Sequence, residues 1–400
     1  MSAVGAPAAA VEVARAVTER AGDQLELILG DLAAWVDRDS PTYHVAQLDA
    51  LAAAIGDTLA GYGFDEVELV PHEHGAHLHA AISGPGRARV ALLCHHDTVF
   101  PLGTTDSWRY ARDGDRVTGP GVCDMKGGIA VAAHAVRLLA ELEPRRFARV
   151  ELVSVPDEEE RDGAPATLDR LRGFDAVLCL ECGREDHAIV SARKGGRWLS
   201  VEARGRAAHA GVEPDAGRNA VTALAAEALR ISALHGARER LTLVVTEFEG
   251  GEGINTVPSR ARMTLDLRGA TEADLAWAEM EIDRREEHDG IAFERSAIAV
   301  TPALERSPAV AALAETAIAL GAAVGHDFGE QATGGTSDAA WSAGAGITSI
   351  DGLGPVGGKD HTRDEYALVS TFAPRCGVVA GLIAAIDGGL LSDDEDRDDD

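Results

Sequence analysis

Five short segments carry residue types suited to metal-dependent hydrolysis. Cys94-His95-His96-Asp97 lies in the apolar run VALLCHHDTV (90–99), which reads as a buried strand. Successive strand side chains point to opposite faces, so His95 and Asp97 are expected on one face and His96 on the other. A carboxylate beside a metal-binding imidazole holds the ring and raises its basicity. The same residues also read as two satisfied histidines at a strand end. Asp124 sits in Gly119-Pro-Gly-Val-Cys-Asp-Met-Lys-Gly-Gly128, a turn before a helical stretch, where a metal ligand and a helix N-cap are both open readings. The strand 149–155 runs into Pro156-Asp157-Glu158-Glu159-Glu160, and the strand 176–181 ends in Glu181. His361 lies in a late Gly/Pro-rich loop. Imidazole plus carboxylate without thiolate suits a catalytic Zn²⁺. Two such ions about 3.5–4 Å apart generate a hydroxide and polarise a carbonyl. Three carboxylates, two neutral imidazoles and a bridging hydroxide would leave the pair roughly neutral.

Composition narrows the class. The chain has 400 residues, 46% hydrophobic and 26% charged, the balance of a soluble globular protein rather than a disordered one. That length holds a sizeable core and two or three domains. No apolar window of roughly 18 residues lacks a charge, so no membrane span is expected. Glu12 and Arg15 interrupt the N-terminal apolar run, and without a basic leader no secretory signal is expected. A net charge of -29 repels phosphate, which argues against nucleic acid and anionic membranes as partners. Five cysteines without framework spacing point to a reducing, cytoplasmic setting. Cys179 and Cys182 would face opposite ways on a strand, so they do not read as a CxxC pair.

The elements that must position these residues follow from periodicity. Residues 8–63 read as two amphipathic helices broken at Ser40-Pro41. Apolar strands then alternate with helical stretches such as 127–142. This predicts an α/β fold with a mixed, largely parallel sheet, whose strand carboxyl ends bind ligands. From 197 to 306 the order becomes βαββαβ, a ferredoxin-like unit inserted in the first domain. A discontinuous domain of 1–196 and 307–390 is therefore expected, with an inserted 197–306 domain. The acidic run at 391–400 is expected to be a disordered tail.

The ordered set CHHDTV, GPGVCDMKGG, DEE, a strand-end Glu and a late loop His resembles a known family. It is the di-zinc family of carboxypeptidase G (glutamate carboxypeptidase), acetylornithine deacetylase, succinyl-diaminopimelate desuccinylase and aminoacylase. The likeness runs from about residue 75 to 388. In the insertion it includes GRAAHAG (205–211), NTVPS (255–259) and Arg268. HHDTVFPLGT and GGTSDAAW resemble the carboxypeptidase G branch most.

The resemblance implies a zinc-peptidase-like catalytic domain with a lid and dimerisation domain. His95, Asp124 and Glu181 would hold one Zn²⁺. Asp124, Glu159 and His361 would hold a second, with Asp124 bridging; Co²⁺ or Mn²⁺ are alternatives. Asp97 would orient His95, and Glu158 would be the general base on a zinc-bridging water. His209 would stabilise the oxyanion, and Asn255 and Arg268 would grip the substrate carboxylate. A cis peptide is implied at Asp124-Met125. The substrate would be a small peptide or N-acyl amino acid with a free carboxylate, cleaved at the adjacent amide by a homodimer. A deacylase, a dipeptidase and a non-catalytic metal binder on the same fold are the alternatives. Arg193 and Lys194 read equally as helpers in carboxylate binding or as hinge residues. HEHGAH is one residue too long for HExxH and is not helical, and the resemblance implies a plain strand here, so His72, His74, His77 and His79 are not expected to form a further metal site.

Overall fold

The computed structural model describes residues 6–142, 145–161, 164–251, 253–285 and 288–392. The acidic tail beyond Ser392 lies outside the described residues. The chain divides into two compact units, residues 1–192, 306–332 and 337–400 in one, 193–305 and 333–336 in the other. The inserted unit thus begins four residues earlier than the periodicity suggested. Arg193 bridges to Leu304 and the Lys194 amide donates to Thr333 O, which joins these residues to the insertion.

The first unit opens with three helices, α1 (Ala8–Asp23), α2 (Leu25–Val36) and α3 (Val45–Gly61). Two were expected. The first stretch breaks at Gln24, whose ψ of 19° leaves the helical range; it follows Gly22 and Asp23, both weak helix formers. The expected break around Ser40-Pro41 separates α2 from α3. Next come β1 (Glu66–Val70), β2 (His77–Ser83), β3 (Arg89–His95), α4 (Lys126–Ala140), β4 (Arg149–Val155) and β5 (Ala176–Cys179). The six-stranded sheet runs β1-β2-β4-β3-β5, then the short strand Ser349–Ile350. β3 is parallel to β4 and to β5, while β1, β2 and β4 pair antiparallel. The carboxyl ends of β4, β3 and β5 therefore open side by side, which is where a parallel sheet presents polar groups.

Leu78, Ala80, Val90, Leu92, Val150, Leu152 and Leu178 bury one sheet face in the core, against α4 and the neighbouring helices. Gly128 lets α4 approach closely, since a Cβ there would meet Leu180 O at 2.1 Å.

The second unit follows the expected order. It comprises β6 (Gly195–Arg204), β7 (Ala208–His209), α5 (Ala220–Ser232), β8 (Thr242–Gly250), β9 (Thr256–Val257), β10 (Arg260–Gly269), α6 (Glu272–Asp283) and β11 (Ala292–Thr301). The antiparallel sheet runs β8-β10-β6-β11, as a ferredoxin-like βαββαβ chain requires. Ala261, Met263, Leu265 and Leu267 alternate inward along β10 and pack with Leu224, Ile231, Leu275 and Ile282 of the two helices. Asn219 and Thr271 cap α5 and α6 with their side chains.

The chain then returns to the first unit through α7 (Pro308–Ala323) and α8 (Phe372–Asp387). Val369–Asp387 is long and apolar enough to cross a membrane, but 83% of it is buried inside the protein. The charge that interrupts it, Arg375, donates to Gly352 O and His187 O at 2.9 Å each.

Candidate metal centre

β3 ends at His95, so Asp97 lies beyond the strand and its position is not set by strand alternation. Its carboxylate nevertheless reaches the imidazole, with His95 Nδ1 3.2 Å from Asp97 Oδ1. His96 turns away and bonds Ser154 Oγ at 2.9 Å. Asp97 also accepts from Thr42 Oγ1 (2.9 Å) and from the amides of Glu158 and Glu159 (3.2 Å each). This one buried carboxylate therefore ties the end of β3 to the loop after β4.

Asp124 does not cap α4. Met125 is the capping residue and no side chain caps it. The Asp124-Met125 peptide is cis. The turn is held from below by Glu365, which accepts from the amides of Gly121 (3.1 Å), Cys123 (2.8 Å) and Asp124 (3.0 Å). Gly121 has φ +74°, and a Cβ there would meet Thr98 Cγ2 at 2.8 Å. Lys126 is buried and donates to Arg38 O at 2.9 Å. Sequence reasoning missed Glu365, Lys126 and Thr42, because a support made through backbone groups of a distant loop leaves no spacing pattern.

Glu181 follows β5 after one irregular position, Leu180, since the strand stops at Cys179 rather than at residue 181. The CxxC argument from strand faces therefore does not apply. Cys182 instead meets Cys123 sulfur to sulfur, across 59 residues and with Cα atoms 5.7 Å apart. Neither spacing nor cysteine count indicated this pairing. His361 projects from a loop with φ 63°, a left-handed conformation uncommon for a non-glycine residue and frequent at functional sites.

These elements bring two donor triads together around Asp124. His95 Nε2 lies 3.2 Å from Asp124 Oδ1 and 3.8 Å from Glu181 Oε1. His361 Nε2 lies 3.3 Å from Asp124 Oδ2 and 3.0 Å from Glu159 Oε2. Each triad fits one metal ion. Ligands about 2.0–2.2 Å from a tetrahedral zinc lie roughly 3.3–3.5 Å from one another, close to these separations.

The electrostatics fit the same group. Burial pushes Glu158 up to about 8, with Asp338, Glu159 and Asp124 adding repulsion. Burial also raises Glu159 and lifts Glu181 well above the carboxylate range. Despite burial, hydrogen bonds from His361 and His95 hold Asp124 low. Hydrogen bonds to Asp124 and Glu159 lift His361 to about 11. Crowded carboxylates that pull protons onto themselves and their imidazoles have the donor set that divalent cations neutralise.

The remaining expected residues lie in the second unit. β7 pairs with β9, placing His209 opposite Thr256 and next to Asn255, whose carbonyl accepts from the Ala210 amide at 2.8 Å. Arg268 lies near the other end of β10, half-buried, with Nε donating to Asp266 Oδ1 at 2.7 Å. Its register partner Gly196 leaves room for the guanidinium. Eight strand residues, about 26 Å, separate Arg260 from Arg268, and Asn255 and His209 lie beyond the Arg260 end. One copy of this unit therefore does not bring Asn255 and Arg268 to the same small ligand.

An α/β sheet with imidazoles and carboxylates gathered at parallel strand ends around one shared aspartate has the donor set of a metal centre at a ligand-binding edge. Residues 91–385 match the model of peptidase family M20/M25/M40, and the chain belongs to that family. It is 28% identical over 323 residues to carboxypeptidase G2 of Pseudomonas sp. (strain RS-16), covering 79% of this chain and 78% of that one. It is 30% identical over 227 residues to acetylornithine deacetylase of Myxococcus xanthus, covering 52% of this chain and 54% of that one. The crystal structure of aminopeptidase PepT from Bacillus cereus superposes with a TM-score of 0.74 at 21% identity, over 90% of this chain and 98% of that one. The metallo-carboxypeptidase Sso-CP2 from Sulfolobus solfataricus gives 0.61 at 15%, over 90% and 99%. At these identities the two structures share the fold.

Proposed function

We propose that the chain is a dinuclear zinc carboxypeptidase, cleaving an amide bond next to a free carboxylate. The observation that carries this reading is the pair of donor triads joined through Asp124, with Glu158 on the adjoining loop. Bound zinc would supply Lewis acidity toward the amide carbonyl and an acidified water. Glu158 takes the proton of the attacking water and passes it to the leaving amine. Asp97 fixes the tautomer and orientation of His95. His209 donates to the developing oxyanion.

Arg268 holds the substrate carboxylate. Support comes from the basic groups beside it: Lys194 is lowered by burial and by the nearby Arg240 and Arg268 charges. In the free chain Asp266 occupies the guanidinium, so a substrate carboxylate must compete with it. The test is turnover of short peptides and N-acyl amino acids, each with a free and an amidated carboxyl end. Amidation should lower wild-type kcat/KM by about 10–100-fold, the worth of a charged hydrogen bond. It should do far less to Arg268→Ala. Equal losses in both enzymes would remove Arg268 from substrate recognition. A preference for N-acyl amino acids over peptides would select the deacylase reading, which the match to acetylornithine deacetylase favours.

The separation of Asn255 from Arg268 favours a homodimer in which the partner subunit lends the His209–Asn255 end. Trp198 and Val244, both opposite Asp266, are exposed on the sheet face turned away from the two helices, apolar positions available for association. Co-expression of a His209→Ala chain with a Glu158→Ala chain tests it. Random pairing makes half the dimers mixed, each with one intact site, so about a quarter of wild-type activity should return. No recovery would place His209 and Glu158 of the same chain in one site.

A further inference from the structure

His72 and His74 are not on a strand. β2 begins only at His77, and the two residues occupy the preceding loop. There they meet Asp157, the first acid of the loop that carries Glu158 and Glu159. His74 Nδ1 lies 3.1 Å from Asp157 Oδ2, and one donor atom from each of His72, His74 and Asp157 falls within 4.8 Å of the others. The other carboxylate oxygen of Asp157 is engaged by Arg161 at 2.6 Å. That leaves Oδ2 directed at the imidazoles.

His77 supplies an independent observation. It is 2% exposed, and its ring packs edge-on against His72 with centroids 5.0 Å apart. Neither of its ring nitrogens has a hydrogen-bond partner among the described residues. A buried imidazole with two unmet polar atoms is costly. Glu73, exposed and 3.9 Å from His74 Nε2, lies within reach as a further oxygen donor.

We propose that His72, His74 and Asp157, backed by His77, form an additional divalent transition-metal site, separate from the two triads around Asp124. Two or three imidazoles with one carboxylate suit Zn²⁺, and Co²⁺ as its spectroscopic substitute. The 3.1 Å between His74 and Asp157 donors is close to the edge of a tetrahedral zinc polyhedron, roughly 3.3 Å. Because Asp157 precedes Glu158, an ion here pins the root of the loop that bears the base.

The test uses full-length protein stripped with a chelator and titrated with ZnCl₂ alone, counting tightly bound equivalents. Wild type should take up one zinc per chain more than His72→Ala/His74→Ala. The same one-equivalent difference should appear when both chains also carry Asp124→Asn, so a wrong reading of the Asp124 centre cannot mask the result. Should the double variant fold poorly, His72→Gln should bind this last zinc at least about 10-fold more weakly than wild type. Equal stoichiometry with and without His72 and His74, or unchanged affinity in His72→Gln, overturns the site.

Discussion

Replacing Glu158 by alanine will lower kcat by about 10²–10⁴-fold, the usual worth of a general acid–base group, while both metal equivalents stay bound. The residue is held in place through its backbone, whose amide donates to Asp97 Oδ1 at 3.2 Å. Its side chain is in neither donor triad. Burial and the surrounding carboxylates push its carboxyl upward, and cations held by the adjoining triads would draw it back toward the ionised form a base needs. The neighbouring Glu159→Ala should behave differently. Glu159 meets His361 at 3.0 Å, so its loss should release metal as well as activity. Elemental analysis beside steady-state kinetics separates the two variants. Near-native turnover by Glu158→Ala would mean that another group moves the proton.

Asp124→Asn should have the larger effect, removing both ions and lowering activity by more than the roughly 10⁴-fold upper limit expected for loss of the base. The two oxygens of this one side chain face different imidazoles, His95 at 3.2 Å and His361 at 3.3 Å. The amide is isosteric but removes the shared negative charge from both triads at once. Glu181→Gln and His361→Ala each touch a single triad and should cost one equivalent. The fold should persist in Asp124→Asn, because the turn is anchored by Glu365 through backbone amides rather than by the Asp124 side chain. Metal content and thermal unfolding of the metal-free protein check both halves of this expectation. Retention of both ions of the Asp124 centre, counted in a His72→Ala/His74→Ala background, would mean that Asp124 does not bridge.

Donor types at the ends of apolar runs and in glycine-rich turns were legible along the chain, because donor chemistry is a local property. Singling out His95, Asp124, Glu158, Glu159, Glu181 and His361 among them took the ordered likeness to the family. The βαββαβ insertion was legible for a related reason. Inward-facing residues such as Met263, Leu265 and Leu267 keep a strand or helix period that needs no knowledge of the partner element. Element ends were less so. β3 and β5 stop earlier than their apolar runs, and the first helical stretch splits at Gln24. Hydrogen bonding to neighbouring segments ends an element, and composition does not record it.

The sequence by itself determined which donor groups the chain carries and the succession of layers that holds them, since side-chain type and hydrophobic period act over a few residues. Only the tertiary structure decided who meets whom. The strand order β4-β3-β5 sets His95 between the loops of Glu159 and Glu181. Glu365 reaches back across more than 240 positions to hold the Asp124 turn. Cys123 meets Cys182, and His74 meets Asp157. The length of β10 holds Arg268 far from Asn255. Such contacts depend on how elements stack and where loops return, so they arise from packing between distant segments and leave no periodic trace in either one.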